Sequence, residues 1–217
     1  TVALAPYGKD YVWDNDEFSS DKLALVWQWN HKPVDAQWSL TERSGWMRIY
    51  AGEPVTGIAD ARNTLTQRTV GPRSRVEVKL DVSGLNPGAR AGISAFQSSN
   101  LCLGVEVTDD AKELVLRENS RMEKDKEVYA IPMNGDDVWL RIDYCFTPAE
   151  GSEDEADTAR VSYSFDGENW TSIDDYSLKM RFTLDYFTGY RTALYCYSVS
   201  DNGGYADFDY FHQTLLD

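Results

Sequence analysis

The sequence predicts an all-β fold, a two-sheet antiparallel β-sandwich of the jelly-roll type. Apolar and polar residues alternate with a period of two through much of the chain, whereas long stretches of helical periodicity are absent. Turn-forming residues separate these stretches at spacings that suit hairpins, and there is no internal repeat of the kind that a propeller or solenoid requires. The length of 217 residues is within the range of a single sandwich domain.

The strand pattern is clearest at residues 75–82, where valines and one leucine alternate with charged residues. A half-solvated antiparallel strand requires this alternation, because it buries one face and exposes the other. In chain order, the pattern predicts strands over residues 46–51, 75–82, 103–108, 113–117, 138–146, 159–165, 193–199 and 205–212. Between them, tight turns are predicted at Asn86-Pro87-Gly88, Asp109-Asp110, Asn134-Gly135-Asp136-Asp137, Asp166-Gly167 and Asn202-Gly203-Gly204.

Two segments lack strand character. Residues 1–17 begin with Pro6 and Gly8 and then become acidic, which is typical of a linker that leads into a first strand. Residues 148–158 are rich in acidic side chains, and we expect an exposed loop there. The sandwich domain is therefore predicted over residues 18–217.

The charge balance limits the classes of partner. The chain has 21 basic and 36 acidic residues, a net charge of −15, and such a surface repels phosphate backbones and anionic lipids. We therefore expect neither nucleic acid nor a membrane as a partner. No apolar run approaches the roughly 20 residues that cross a bilayer, and no secretory signal is visible. A periplasmic or extracellular location is favoured slightly over a cytoplasmic one.

The chain contains little of the chemistry that catalysis requires. Cys102, Cys145 and Cys196 form no C-x-x-C pair and are predicted to be buried as small hydrophobic residues. Motifs of nucleophilic serine, phosphate-binding and zinc-protease sites are absent. A sandwich glycosidase needs two carboxylates about 5 Å apart on one sheet face, whereas Glu77 and Glu106 are lone acids at outward positions. We expect no catalysis by this chain alone, and a self-sufficient sandwich glycosidase is the minor alternative.

Seven tryptophans support a further hypothesis, an independent carbohydrate-binding module or lectin, because sugar rings stack on exposed aromatic planes. The alternative for each ring is burial. Trp27 and Trp29 share one face of a predicted strand, and Trp46 and Trp139 lie in apolar alternation, which favours the core for most of them. Trp170 follows a hairpin turn, where we expect its ring to pack across that turn.

Acidic residues near both ends of the chain suggest a cation site. Asp16 and Glu17 precede the first predicted strand, and Asp207 and Asp209 alternate with aromatic residues in the last one. If these strands pair, the carboxylates converge, and calcium binds six to eight oxygen ligands. A structural calcium ion at these four residues is one hypothesis. Outward charges that protect an edge strand from aggregation are the other.

Several segments, taken in order, resemble a known module. They are WQWNHKP (27–33), WSLTER (38–43), NTLTQR (63–68), YSFDGENW (163–170), FTG (187–189) and YADFDYF (205–211). The combination resembles the concanavalin A-like sandwich that follows the five-bladed propeller in glycoside hydrolase family 43 enzymes of the β-xylosidase and α-L-arabinofuranosidase type. The resemblance implies that residues 1–17 lead from a missing N-terminal catalytic propeller, which carries the catalytic residues and on which this domain packs as an ancillary domain.

The resemblance also implies a role for one aromatic residue. In β-xylosidase-type members a sandwich loop reaches the active-site mouth with a Phe in an F-T-G segment, which corresponds to Phe187 here. Phe187 would then wall a sugar subsite and favour short xylo- or arabino-oligosaccharides, as in xylan and other hemicellulose breakdown. Burial of Phe187 within its own domain is the alternative. Tyr190 and Arg191 directly after this segment depart from the family pattern and leave the sugar preference open.

Overall fold

The computed structural model describes residues 15–120, 124–181, 183 and 188–216. These residues form one short 3-10 turn, Asp35–Gln37, and fifteen strands. The strands are β1 (Gln28–Trp29), β2 (Trp38–Ser39), β3 (Met47–Tyr50), β4 (Leu65–Arg68), β5 (Arg73–Asp81), β6 (Ala89–Phe96), β7 (Asn100–Val107), β8 (Lys112–Asn119), β9 (Lys126–Pro132), β10 (Asp137–Cys145), β11 (Thr158–Ser164), β12 (Thr171–Ser172), β13 (Leu178–Lys179), β14 (Arg191–Ser198) and β15 (Tyr205–Leu215).

The strands form two antiparallel sheets, which confirms the predicted sandwich. The seven-stranded sheet has the order β1-β4-β14-β6-β7-β8-β9. The eight-stranded sheet has the order β12-β11-β10-β5-β15-β3-β2, and β13 also pairs with β11. All eight strands predicted from alternation are present, each with bounds within a few residues of the prediction. Within the described part of the chain, no helix is long and apolar enough to cross a membrane.

The main core lies between the two sheets, because each sheet turns one apolar face inward. Val76, Val78 and Leu80 of β5 are completely buried there, as the alternation predicts. Strand β6 is different, since nearly all of its residues are buried on both faces. Its outer face belongs to a second apolar cluster on the far side of the seven-stranded sheet. That cluster consists of Ile58, Ala61, Phe96, Cys102, Ala193, Tyr195 and Tyr197, with Val55 at its margin.

The three cysteines are free and buried, as predicted. Burial raises the pKa of Cys102 to about 12, so this thiol stays protonated.

The last strand contains an irregularity that strict alternation does not predict. The pairing of β15 with β5 shifts between Phe208 and Phe211, so the two rings three positions apart both enter the core. A β-bulge of this kind adds a residue to one strand and reverses the faces beyond it. Tyr210 therefore lies on the outer face, where its hydroxyl donates to Glu77 Oε1 at 2.5 Å.

Candidate functional site

Phe187, the residue to which the family resemblance assigns a substrate-pocket role, lies outside the described residues, as do its neighbours 184–186. The structure describes Thr183 on one side of this segment and Thr188 on the other. Arg191 begins β14, where it pairs with Arg68 at the end of β4 and with Phe96 at the end of β6. The segment 184–187 is thus flanked by residues at one defined end of the sandwich, which we call the Tyr190 end after the buried tyrosine there.

One buried side chain contacts both sides of that segment. Gln97 lies in the turn between β6 and β7 and is only 2% exposed. Its Oε1 accepts hydrogen bonds from Thr183 Oγ1 at 2.8 Å and from the Ser98 backbone N–H at 2.7 Å. Its Nε2 donates to the Thr188 carbonyl at 3.3 Å. A single amide therefore connects Thr183 and Thr188 across the segment that contains Phe187.

Three adjoining clefts cross the Tyr190 end. The first, of about 310 Å³, is lined by Arg68, Thr69 and the stretch 188–191. The second, of about 490 Å³, shares Arg68 and Thr69 with it and extends to Leu25 and Gln213. The third, of about 260 Å³, shares Gly189 and Tyr190 with the first and extends to Phe146, Met180 and Arg181. Because they share lining residues, the clefts form one continuous uneven surface.

This surface combines an apolar residue with basic residues. Leu25 is 100% exposed, which is unusual for a leucine that lines a cleft. Arg68 and Arg181 are also exposed here, although the chain as a whole has a net charge of −15. Leu25 and Arg68 line the same cleft, and arginine is enriched in contact surfaces relative to the rest of a protein surface.

The described chain also begins at this end. Asp16 pairs with Phe211 through two backbone hydrogen bonds, so the start of the domain does pair with its last strand, which is the condition on which the calcium hypothesis depends. Asn15 Oδ1 accepts a hydrogen bond from the Gln213 backbone N–H at 2.7 Å, and Gln213 lines the largest of the three clefts. Asn15 therefore lies beside the Tyr190 end.

The four residues of the calcium hypothesis each contact a different group. Asp16 accepts hydrogen bonds from Trp27 Nε1 and from the Phe18 backbone N–H, both at 2.8 Å. Glu17 contacts His212 at 2.5 Å, and Asp209 faces Lys79 Nζ at 3.7 Å. Among residues 15–120, 124–181, 183 and 188–216, no group of three or more His, Cys, Asp or Glu side chains could hold a metal ion. The calcium hypothesis stays a prediction without a ligand cluster to support it.

Asp207, the fourth of these residues, is the centre of an ion-pair cluster. Arg48 donates to both of its carboxylate oxygens at 2.8 Å, and Arg43 donates to Oδ2 at 3.0 Å. Arg43 also reaches Asp81 Oδ2 at 2.6 Å. The hydrogen bonds to Asp207 raise the pKa of Arg48 above its usual value. Two guanidinium groups thus supply the positive charge that the sequence suggested a calcium ion would supply.

The tryptophans on the outer face of the eight-stranded sheet are half-buried, so the prediction that Trp46 and Trp139 belong to the core is wrong. The guanidinium carbon of Arg43 lies 3.5 Å from the centre of the Trp46 ring, and that of Arg141 lies 3.3 Å from the centre of Trp170. Lys79 lies between Trp46 and Trp139, at 5.1 and 5.2 Å. Cation–π contacts with cations of this chain use ring faces that a sugar would need.

The two acids predicted to be lone outward groups are paired. Glu77 forms an ion pair with Arg141 at 2.7 Å and accepts the Tyr210 hydroxyl. Glu106 forms ion pairs with Arg117 and with Arg90. Both carboxylates are thus occupied by cationic or hydroxyl groups of this chain.

Comparison with known proteins assigns a family to these features. The family model for the β-xylosidase C-terminal concanavalin A-like domain matches residues 15–214. A β-xylosidase of Formosa agariphila is 30% identical over 220 residues, which cover 91% of this chain and 34% of that protein. A putative β-xylosidase of Xylanibacter ruminicola is 34% identical over 152 residues, which cover 70% of this chain and 25% of that protein. The chain thus spans about a third or less of the length of these relatives.

Solved structures agree with this match. A bifunctional GH43-CE protein of Bacteroides eggerthii has a TM-score of 0.85 and 40% identity, and the match covers 94% of this chain and 26% of that one. A GH43 glycoside hydrolase engineered to have endo-xylanase and exo-arabinofuranosidase activity has a TM-score of 0.83 and 28% identity, over 99% of this chain and 42% of that one.

Proposed function

The chain belongs to the family of β-xylosidase C-terminal concanavalin A-like domains, and we propose that it is a non-catalytic ancillary domain of a larger glycoside hydrolase. In this proposal it packs on a catalytic five-bladed propeller of the same polypeptide and helps to shape the substrate pocket. One observation carries the proposal: the chain matches β-xylosidases over most of its own length but over only 25–40% of theirs. The remaining part of such a protein has room for the catalytic domain.

The Tyr190 end is the surface that we propose for packing. Its three adjoining clefts, its exposed Leu25 and its basic rim provide an irregular, partly apolar face on which a second domain can be seated. Asn15 lies beside the same surface, so a preceding domain would be tethered close to it. Contacts between domains of one chain typically bury about 600–1,500 Å² and are more polar than a core, which suits this mixture of groups.

Phe187 is the residue that we propose for the pocket. Its neighbours in sequence, Thr188 to Tyr190, line clefts of the proposed packing surface. A ring presented from this end would close one side of a sugar subsite, exclude water and limit the depth of the pocket. The proposed substrates are short xylo- or arabino-oligosaccharides, since the relatives are β-xylosidases and one matching structure has arabinofuranosidase activity.

The proposal is tested by separating binding, packing and hydrolysis. The purified chain should not hydrolyse p-nitrophenyl β-D-xylopyranoside or p-nitrophenyl α-L-arabinofuranoside, whereas the parent protein should hydrolyse at least one of them. Calorimetric titration of the chain with xylo- and arabino-oligosaccharides should give no binding heat. Hydrolysis by the chain alone would refute the proposal in favour of a sandwich glycosidase, and specific binding would favour the carbohydrate-binding alternative.

Packing at the Tyr190 end has its own test in the parent protein. Leu25→Asp places a charge at the proposed contact and should lower the unfolding temperature of the parent while leaving that of the isolated domain unchanged. Val199→Asp is the matched control, because Val199 is an exposed apolar residue that follows the opposite end of β14. Equal effects of the two substitutions in the parent would refute packing at this end.

The pocket role is tested by Phe187→Ala in the parent protein. We expect a loss of about tenfold or more in kcat/KM for xylobiose, because a pocket wall contributes through orientation of the substrate. The unfolding temperature of the domain should not change. Unchanged kinetics would remove the role proposed for Phe187.

A further inference from the structure

We propose that the cleft between the ends of β4 and β14 is a carboxylate-binding site, and that the carboxylate belongs to an acidic side chain of the domain that packs on the Tyr190 end. We call it the arginine cleft. Its volume is about 310 Å³, and it is lined by Arg68, Thr69 and residues 188–191. The inference rests on the proposed function and adds to it the chemistry of one contact between the two domains.

Two arginines lie opposite each other in the arginine cleft. Arg68 ends β4 and Arg191 begins β14, and the two residues are direct cross-strand partners. Directly opposed residues of antiparallel strands share a face of the sheet, and like charges in such a pair are destabilising. Arg191 donates to Thr66 Oγ1 at 3.1 Å and to Asn30 Oδ1 at 3.2 Å, and neither of these groups carries a charge. An anion bound beside the pair would offset the repulsion.

Arg68 is the arginine that is available to such an anion. It is exposed, and its guanidinium forms no hydrogen bond or ion pair with any residue that the structure describes. Elsewhere on the sheets, Arg48, Arg75 and Arg141 each pair with a carboxylate of this chain. Although 36 of the 217 residues are acidic, no described acidic residue lines the arginine cleft or the adjoining cleft of about 490 Å³ that also contains Arg68. The guanidinium of Arg68 is thus open to a carboxylate from outside this domain.

Polar groups without partners line the same two clefts. Thr188 lines the arginine cleft, and Gln213, which is only 2% exposed, lines the adjoining one. Thr188 Oγ1 and Gln213 Oε1 are both buried without a hydrogen-bond partner in the described part of the chain. Buried polar groups of this kind are rare in native structures. A hydroxyl and a primary amide both contain donors, so an acidic group that enters these clefts would supply the acceptor that they lack.

A carboxylate is the anion that fits this set of groups. The planar guanidinium fork matches the two oxygens of a carboxylate, and such charge-assisted hydrogen bonds are roughly twice as strong as neutral ones. The exposed Leu25 in the adjoining cleft can contact the methylene groups of a glutamate. Under the proposed function the packed domain precedes Asn15, whose Oδ1 accepts from the Gln213 backbone N–H at 2.7 Å. We therefore assign the carboxylate to that domain.

The test compares Arg68 variants in the full-length parent protein and in the isolated domain. Arg68→Lys keeps the charge, Arg68→Gln removes it and Arg68→Glu reverses it. Arg62→Gln is the matched control, because Arg62 is an exposed arginine that precedes β4, whereas Arg68 ends it. The unfolding temperature of each variant is measured in both proteins, and Leu25→Asp is included in the same series as the test of packing itself.

We expect opposite orders of stability in the two proteins. In the parent, Arg68→Lys should have the smallest effect, Arg68→Gln should lower the unfolding temperature by several degrees, and Arg68→Glu should lower it further because two carboxylates would then face each other. In the isolated domain, Arg68→Glu should raise the unfolding temperature by up to about 2–4 °C, because an opposite-charge pair with Arg191 replaces a like-charge pair. Arg68→Gln should leave it unchanged or slightly higher, and Arg62→Gln should have little effect in either protein.

Three results would overturn the inference and leave packing at the Tyr190 end intact, in a series in which Leu25→Asp destabilises the parent. An equal fall for Arg68→Gln in the isolated domain and in the parent would place the partner of Arg68 within this chain. Equal effects of Arg68→Gln and Arg62→Gln in the parent would show that Arg68 has no special contact. A fall in the parent that depends on protein concentration would assign the carboxylate to a second copy. If neither Leu25→Asp nor Arg68→Gln changes the parent, the inference and the packing proposal both fail.

Discussion

Replacement of Asp207 by asparagine is the sharpest test of the stabilising interactions in this fold. The Asp207 side chain is 3% exposed and lies between Arg48, which contacts both carboxylate oxygens at 2.8 Å, and Arg43 at 3.0 Å. Asparagine preserves the volume but removes the charge, so the two guanidinium groups lose their shared anion. The substitution therefore leaves a partly buried positive cluster without compensation.

The expected loss follows from burial. Removal of one partner of a buried ion pair costs about 3–5 kcal/mol. The arginine side chains are 15% and 34% exposed, so their solvation by water offsets part of this cost. We therefore expect the free energy of unfolding to fall by about 3 kcal/mol. Asp209→Asn is the matched control, since Asp209 is 35% exposed and 3.7 Å from Lys79. An exposed pair of this kind contributes about 0–1 kcal/mol.

Urea denaturation and thermal unfolding of the isolated domain provide the measurement. For a domain of this size, about 1 kcal/mol corresponds to roughly 2–4 °C, so Asp207→Asn should lower the unfolding temperature by about 6–12 °C. Asp209→Asn should lower it by less than about 4 °C. Similar shifts for the two variants would refute the assignment of Asp207 as the centre of the cluster.

Three further predictions concern calcium, acid and packing. A chelator such as EDTA should leave the unfolding temperature unchanged, because arginines already neutralise Asp207; a fall of several degrees would instead support the calcium hypothesis. Burial opposes ionisation of Asp81, but hydrogen bonds from Ser83 and the pairing with Arg43 outweigh it and lower its pKa below the usual 3.8. The folded pKa is thus below the unfolded one, so the stability contributed by ionised Asp81 is present above about pH 4 and lost as the pH falls through the folded pKa. In urea titrations, the free energy of unfolding should change less between pH 6 and pH 3 for Asp81→Asn than for the unmodified domain. Gly104→Ala should lower the free energy of unfolding in urea by about 2–3 kcal/mol, because the added Cβ would lie 2.2 Å from the Ala91 carbonyl oxygen and 2.5 Å from the Tyr195 hydroxyl. An unchanged free energy of unfolding would contradict this close packing around Gly104.

The strands that have one wet face could be predicted from the sequence alone. Buried and more exposed residues alternate along β5 and most of β10, and the charged residues of both strands lie on the outer face, so the sequence shows the period of two. Strand β6 could not be found in this way. It is buried on both faces, because the second apolar cluster covers its outer side, and a strand buried on both sides does not alternate.

The family resemblance could likewise be drawn from the order of short motifs, and the family match over residues 15–214 confirms it. Phe187 was identified in that way alone. No local signal pointed to Gln97, because a glutamine in a hairpin turn is ordinarily a solvated residue and nothing nearby in sequence marks its burial.

The sequence by itself therefore determined eight of the fifteen strands that the structure describes, because alternation depends on neighbours two positions apart. It also indicated the family, because the motifs that identify the family are short contiguous segments. Only the tertiary structure decided which groups meet: Asp207 and Arg48 are 159 positions apart, and Gln97 and Thr188 are 91 apart. Such contacts depend on strand order and register, which bring distant segments side by side, and no local pattern records that register.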